Sequence, residues 1–221
     1  MLSFAATLSP NSTAFALFVT EKYDYKDAKG ILSKEISRKI NLFLKSLKAK
    51  NHKDEISSLD ISDKKKCFII KVKNKYENYY FEELGGSFST YIKNFKTINS
   101  VDIYADSLDE NKDKLSKIFS EFIFGFNLKS YTFNKYKTLN KKKINQKVNF
   151  KIISSNKKNI ENNYKYYNSI KEGVFLARDL VSEPPNVLNP KTYVQEIKKL
   201  SKLGLKIKAY NEKELKKLLY I

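Results

Sequence analysis

The stretch that decides the fold runs from residue 170 to residue 190 and reads IKEGVFLARDLVSEPPNVLNP. Its apolar residues recur at helical spacing, namely Ile170, Val174, Ala177 and Val181. Pro184 and Pro185 end the predicted helix, because proline lacks an N–H and its ring crowds the preceding turn. Asn189 is placed to cap a second helix, with Pro190 at its first position. A helix, a proline pair that ends it and a new helix are together typical of a hinge between domains.

Length and composition favour a folded α/β protein. A chain of 221 residues is long enough for one sizeable domain, or for one domain and a linker. The aromatic content of 14% argues against disorder throughout. A single cysteine, Cys67, points to a reducing compartment. The apolar N-terminal runs are interrupted and lack the leading positive charge of a signal peptide, so we expect a cytoplasmic protein that does not associate with a membrane.

The net charge of +19 raises the question of nucleic-acid binding. Only Arg38 and Arg178 are arginines, and the other basic residues are lysines. A/T-rich coding would produce the same excess of lysine, asparagine and isoleucine. Readout of bases through arginine is therefore disfavoured, whereas non-specific contact with phosphates stays open. The densest basic run, Lys141, Lys142 and Lys143, is a candidate for such contact, although a solvated loop is the favoured interpretation.

The order of apolar runs predicts an α/β fold with a mixed sheet flanked by helices. Strands are predicted at residues 2–7, 14–20, 67–72, 101–105, 128–133, 148–153 and 205–209, with a weak edge strand or loop within 48–66. Helices are predicted after Gly30, over residues 76–95, from a capping box at Ser107 and Glu110, in the hinge stretch, after Pro190 and from Asn211. The Gly85–Gly86 pair lies inside a helical stretch, which favours a close helix contact over a phosphate-binding loop.

The residue types of catalysis and metal binding do not cluster in this sequence. His52 is the only histidine and Cys67 the only thiol, so the commonest zinc ligands cannot gather within one chain. We interpret His52 as a surface residue. An acidic cluster near residue 110 fits the positive end of a helix better than a metal site. Its members are Asp106, Asp109, Glu110 and Asp113.

Several of these residues carry a resemblance to a known family. The hinge stretch resembles the segment joining the two domains of cytosolic leucyl aminopeptidases, which are two-metal exopeptidases. The matching residues are Ala177, Arg178, Leu180, Pro184, Pro185, Asn186 and Pro190. Residues 125–137, which read GFNLKSYTFNKYK, resemble a strand at the end of the family's N-terminal domain. Residues 205–217 continue the resemblance.

The resemblance implies three parts. These are a macro-domain-like N-terminal domain (1–155), a linker helix with the Pro-Pro hinge (156–189) and the truncated start of a catalytic domain (190–221). The family binds two divalent metals, zinc or manganese, through motifs of its C-terminal domain that end in Asn-Thr-Asp-Ala-Glu-Gly-Arg. No such motif occurs in this sequence. The resemblance therefore implies no catalytic residue, no metal ligand and no cofactor in this chain, and leaves open whether the chain is an enzyme.

Two functions remain after this reasoning. The first is the N-terminal, non-catalytic portion of a leucyl aminopeptidase, inactive by itself. The alternative is a standalone binding module that contacts nucleic acid non-specifically or associates with full-length aminopeptidase subunits, because the family is hexameric and some bacterial members bind DNA. We also expect the region after Pro190 to be less stable than the rest, because its predicted strand would lack a neighbour.

Overall fold

The computed structural model describes residues 2–9, 11–138 and 148–218. Within these residues six strands form one mixed sheet in the order β1-β6-β5-β2-β4-β3. The strands are β1 Leu2–Ala5, β2 Ala14–Val19, β3 Ile56–Ser62, β4 Lys65–Lys71, β5 Ser100–Tyr104 and β6 Asn149–Ile153. All neighbouring strands are parallel except β3 and β4, which pair antiparallel. The weak strand predicted within 48–66 is therefore an edge strand, as expected.

The helices of the described chain follow the predicted order. They are α1 Lys34–Ala49, α2 Tyr80–Ile92, α3 Lys112–Ser130, α4 Lys157–Ser182, α5 Pro190–Lys198 and α6 Glu212–Lys217. The chain divides into two compact units, Met1–Glu172 and Gly173–Ile221. None of the described helices is both long and apolar enough to cross a bilayer.

The central strand β2 is buried on both faces of the sheet, because helices cover both. Its residues Ala14, Ala16 and Phe18 contact the side chains of α2 and α3. Its alternate residues, Phe15, Leu17 and Val19, face the cluster that contains the buried side of α1. Every residue of β2 is fully buried. A continuous apolar run of this kind is typical of a strand in the middle of a parallel sheet.

The strand predicted at residues 128–133 is wrong. Residues 128–130 are the last turn of α3, and residues 131–133 have no regular structure. Residues 125–137, which resemble a strand of the aminopeptidase family, begin at Gly125, and Gly125 lies inside α3. The cause is that α3 is buried on most of its circumference between residues 115 and 126. Its apolar residues therefore lack the clear helical period that would have extended the predicted helix.

The capping box predicted at Ser107 and Glu110 is also wrong. Ser107 ends a short 3-10 turn, where its hydroxyl donates to the Tyr104 carbonyl (2.6 Å) and accepts from the Phe18 amide (2.9 Å). Asn111 is the residue that caps α3, and its side chain accepts from the amide of Lys114 at 2.9 Å. The Ser107 hydroxyl instead satisfies backbone groups where β2 and β5 lie side by side.

In the second unit, the strand predicted at residues 205–209 is wrong, because these residues lie outside any helix or strand. Strand structure needs a hydrogen-bonding neighbour, and no described strand pairs with them. The helix predictions are confirmed there. Gly204, with φ of +86°, ends the turn after α5, and Asn211 with Glu214 forms the capping box of α6. Neither α5 nor α6 contains a buried residue.

Candidate functional site

The two residue types best suited to nucleophilic catalysis, thiol and imidazole, each occur once in the sequence, and the thiol occupies an unsuitable environment. Cys67 lies in β4 and is fully buried, and this burial raises the pKa of its thiol. Its sulfur donates to the Phe68 carbonyl at 3.8 Å. His52 follows α1, and its Nε2 lies 3.5 Å from a carboxylate oxygen of Asp54. A thiol held protonated by desolvation is a poor nucleophile.

Three of the four members of the acidic cluster near residue 110 are held by donors of the chain itself. Asp106 accepts from the amide and hydroxyl of Ser155 at 2.8 and 2.7 Å, and also from the hydroxyl of Ser154. Asp109 pairs with Lys26 at 2.5 Å, and Glu110 pairs with Lys114 at 2.6 Å. In the parts of the chain that the structure describes, no three metal-ligating side chains come together. These residues therefore do not fit a two-metal site.

The crevice at the carboxyl ends of β2 and β5 is where an open α/β sheet commonly binds a ligand. The chain leaves β2 toward α1 on one face and leaves β5 toward α3 on the other, which makes this a topological switch point. Here Asp27 accepts from the amides of Ile31 (2.9 Å) and Leu32 (3.0 Å) and from the Tyr104 hydroxyl (2.8 Å). The crevice, about 220 Å³, is lined by Asp106, Asp109 and Glu110, carboxylates that already bind the chain's own donors.

The hinge residues lie in the order that the sequence predicts. Ala177, Arg178 and Leu180 belong to the last turns of α4, which ends at Ser182. Pro184 follows, and its carbonyl accepts from the amides of Val187 and Leu188, both at 2.9 Å. Pro185 and Asn186 complete the connection, and Pro190 is the first residue of α5. Proline geometry and turn hydrogen bonds explain the residue types of the Pro-Pro connection, and a structural role for all seven residues stays a prediction.

Asn189 caps α5 as predicted. Its side chain accepts from the amides of Lys191 (3.1 Å) and Thr192 (3.2 Å), while the Thr192 hydroxyl accepts from the Asn189 amide at 2.8 Å. The lysine run Lys141, Lys142 and Lys143 lies outside the described residues, so its predicted phosphate contact stays a prediction.

A basic surface that the sequence reasoning missed lies on α1. We call it the α1 basic stripe; it consists of Lys34, Arg38, Lys45 and Lys48, all exposed. The four residues fall within about 80° of the helix circumference and span about 21 Å along the axis. No residue in the described chain forms an ion pair with them, whereas the neighbouring Lys39 pairs with Glu35 at 3.0 Å. The signal was their spacing, opposite the buried Ile40, Leu44 and Leu47, but it was lost among the many lysines.

Comparison with known proteins gives consistent matches. No protein-family model matches the sequence. The probable cytosol aminopeptidase of Agrobacterium fabrum is 37% identical over 127 residues, which is 56% of this chain and 25% of that protein. The probable cytosol aminopeptidase of Phytoplasma mali is 36% identical over 138 residues, which is 61% of this chain and 27% of that protein. The chain thus matches about a quarter of the length of these relatives.

Solved structures agree on the fold. A mutant of tomato leucine aminopeptidase superposes with a TM-score of 0.76 at 18% identity, covering 99% of this chain and 46% of that chain. The bottromycin maturation enzyme BotP in complex with Mn superposes with a TM-score of 0.63 at 12% identity, covering 94% of this chain and 40% of that chain. At these identities the superpositions establish the fold alone.

Proposed function

We propose, from the chain's homology to cytosol and leucine aminopeptidases over part of their length, that it supplies the N-terminal, non-catalytic portion of a leucyl aminopeptidase. On this proposal the chain alone does not hydrolyse peptides. The observation that carries it is the partial match itself, since the relatives are named aminopeptidases and the sequence match covers about a quarter of their length. The lack of a metal-ligand group in the described residues supports it.

The strand order supports a macro-domain-like assignment for the first unit. The sheet is mixed and has helices on both faces. We assign residues 1–155 to this domain, 156–189 to the linker helix and hinge, and 190–221 to the start of the catalytic domain. The first turns of α4 belong to the core of the first unit, because Ile160 and Tyr164 are buried in it. The names of the relatives support a cytoplasmic location.

On this proposal, the zinc or manganese pair of the family would be held by a segment equivalent to the part of the relatives that this chain does not match. An aminopeptidase of this kind needs metals to activate water and polarise the scissile carbonyl. BotP has been solved in complex with Mn, which supports metal binding in this fold. The described carboxylates of this chain do not form such a donor set.

An aminopeptidase assay tests the proposal. The purified chain is incubated with leucine-p-nitroanilide and with manganese or zinc, beside the full-length enzyme of Phytoplasma mali as the positive control. We expect p-nitroaniline release no faster than in buffer with the same metal. Release that increases in proportion to the concentration of this chain would contradict the proposal. Co-purification with full-length aminopeptidase subunits would test the proposed association with a hexamer.

A second function, non-specific nucleic-acid binding, is favoured by the α1 basic stripe. Composition bias alone would scatter lysines over the surface and leave acidic residues among them. On α3 the lysines do have acidic neighbours, since Lys114 pairs with Glu110 and Lys117 lies 3.9 Å from Glu121. The stripe instead presents four cations on one side of a helix. Cations in a line can contact successive phosphates and release their counterions.

A salt titration with matched variants tests this second function. The stripe variant changes Lys34, Arg38, Lys45 and Lys48 to alanine, and the control changes four exposed lysines elsewhere, namely Lys96, Lys112, Lys158 and Lys165. If the stripe binds duplex DNA, its removal lowers the salt slope of log K by about 3 to 4, while the control keeps the slope. Equal losses in both variants would mean that only the net charge matters and would rule out the stripe as the binding surface.

A further inference from the structure

A pocket in the first unit has no role in the function proposed above. It lies between α3 and α4, under the amino-terminal ends of β1 and β6, and has a volume of about 270 Å³. Its body is apolar and is formed mainly by Phe122, Ile123, Phe126 and Phe150. This is the opposite edge of the sheet from the crevice at the carboxyl ends of β2 and β5. Protein interiors rarely leave space of this size, so the pocket is a candidate binding site.

One end of the pocket is polar. Tyr164, Asn168 and Lys171 lie on one face of α4 because they are spaced at i, i+4 and i+7. Asn127, from the last turn but one of α3, donates through its amide to the Tyr164 hydroxyl at 2.8 Å. The Lys171 ammonium donates to the side-chain oxygen of Asn168, also at 2.8 Å. Four polar side chains therefore meet at one end of an apolar cavity.

This polar end is rich in donors. Tyr164 is only 7% exposed, and burial raises the pKa of its hydroxyl, so the hydroxyl stays protonated at neutral pH. Because the Tyr164 hydroxyl accepts from Asn127, its proton is left to donate, and no described residue accepts it. The Lys171 side chain is 16% exposed. A buried hydroxyl donor beside a cation favours an anionic acceptor.

We propose that this pocket binds a small carboxylic acid with an apolar or aromatic body. The body fills the space among the phenylalanine rings, and the carboxylate accepts from the Tyr164 hydroxyl and the Lys171 ammonium. An amine of the same shape would bring a second positive charge to Lys171 and is excluded by repulsion. A neutral molecule would offer Tyr164 and Lys171 only an uncharged acceptor, whose hydrogen bonds are weaker than those of a carboxylate.

Glu172 does not prevent this binding. Its carboxylate lies 2.9 Å from the Lys171 ammonium, but its own side chain is 66% exposed. An ion pair with one partner in water contributes little free energy. A carboxylate inside the pocket can therefore replace Glu172 as the partner of Lys171 at small cost.

An NMR titration of the full chain with 3-phenylpropanoate tests the proposal. We expect saturable shifts in α3, α4 and β6. The isosteric 3-phenylpropanamide and 3-phenylpropylamine should bind at least about tenfold more weakly, because they lose the charge-assisted hydrogen bonds. This comparison needs no variant, so it does not depend on the folding of a mutant.

Two variants on α4 complete the experiment. Lys171→Met keeps the length of the side chain and removes its charge, and we expect at least about tenfold weaker binding of the acid. Lys165→Met, an exposed lysine on the same helix outside the pocket, should leave the affinity unchanged. The proposal is overturned if the acid gives no saturable shifts, if the amide binds as tightly, or if Lys171→Met binds as well as Lys165→Met. None of these outcomes bears on the aminopeptidase assay, so the two proposals can fail independently.

Discussion

Gly85 of α2 and Gly125 of α3 bring the backbones of these helices into direct contact. A Cβ atom added to Gly85 would lie 2.0 Å from the carbonyl oxygen of Phe122, and one added to Gly125 would lie 1.9 Å from the carbonyl oxygen of Glu82. Each helix thus presents a glycine to a carbonyl of the other. Such proximity lets the phenylalanines of both helices reach the sheet, where the Phe18 ring lies 5.1 Å from the ring of Phe122.

Adding a methyl group at this crossing should destabilise the first unit strongly. Both Gly85→Ala and Gly125→Ala place Cβ against backbone, which cannot rotate away, so the helices must separate. Overpacking of this kind costs about 1–3 kcal/mol and occasionally more. We expect each variant to lose at least about 2 kcal/mol in urea unfolding, measured as a lower midpoint at an unchanged m value.

Two other helical glycines provide matched controls. In Gly86→Ala the new Cβ would meet the Gly125 carbonyl and the Lys129 side chain at 3.8 Å, which is ordinary contact. In Gly173→Ala nothing lies within 4 Å. Both should be neutral or up to about 1 kcal/mol stabilising, because alanine favours helix over glycine. A Gly86 variant as unstable as the Gly85 variant would show that the destabilisation does not depend on the backbone contact at the crossing, and would contradict this account.

The thiol of Cys67 should report global unfolding. Because the side chain is fully buried and the pKa of its thiol is raised by that burial, the native protein should not react with Ellman's reagent at mildly alkaline pH. Addition of denaturant should expose one reactive thiol per chain, with the same midpoint as the change in tyrosine fluorescence on unfolding. Rapid labelling of the native protein would show that β4 opens locally.

Glu82 should make the first unit less stable at neutral pH than at acidic pH. Partial burial, followed by the charges of Glu121 and Glu83, raises the pKa of its carboxyl above the ordinary value. The folded state then holds the proton more tightly than the unfolded state, so this contribution to stability is present below pH about 4.3 and is lost as pH rises through the folded pKa. Glu82→Gln should therefore be stabilising at pH 7 and nearly neutral at the acidic end of the range.

The control for this effect is Glu161→Gln, which removes the same charge from an exposed position on α4. Unfolding of each variant is measured by urea titration at several pH values. If Glu161→Gln stabilises at pH 7 as much as Glu82→Gln does, the effect comes from the net charge and the local account of Glu82 is wrong.

The helices and strands of the first unit could be predicted where their apolar residues recur with one dominant period. The fully apolar run at β2 and the helical spacing of Ile40, Leu44 and Leu47 in α1 each reflect burial by neighbours that the sequence also encodes. Prediction failed at residues 128–133, because α3 is buried on most of its circumference between residues 115 and 126 and so shows no readable face leading into its last turn. It failed again at 205–209, where alternation is present but no described strand provides the hydrogen bonds.

The candidate sites also differ in how far the sequence could predict them. The α1 basic stripe was missed but could have been found from spacing alone, because all four residues belong to one helix. The pocket proposed for a carboxylic acid was not, because its lining comes from α3, α4 and strands more than 100 residues apart, such as Leu2 and Phe150. Ser107 shows the same limit: its partner, the Phe18 amide, is 89 residues away, so local spacing suggested a helix cap instead.

The second unit should be cleaved before the first by a protease specific for glutamate. Glu35 of α1 and Glu212 of α6 form a matched pair of sites. Their side chains are 77% and 74% exposed, and each pairs with a lysine four residues later, at 3.0 and 2.8 Å. The helices differ in that α1 buries Ile40, Leu44 and Leu47, whereas α6 buries no residue.

Cleavage requires local unfolding of about a turn or more, and its rate follows the free energy of that opening. Opening α1 exposes three buried side chains to water, whereas opening α6 exposes none, so we expect cleavage after Glu212 at least about tenfold faster than after Glu35. The fragments are identified by mass spectrometry during the first few per cent of digestion. Equal rates at the two sites would show that α6 is held by contacts equivalent to those of α1, and would contradict our expectation that the chain beyond Pro190 is its less stable part.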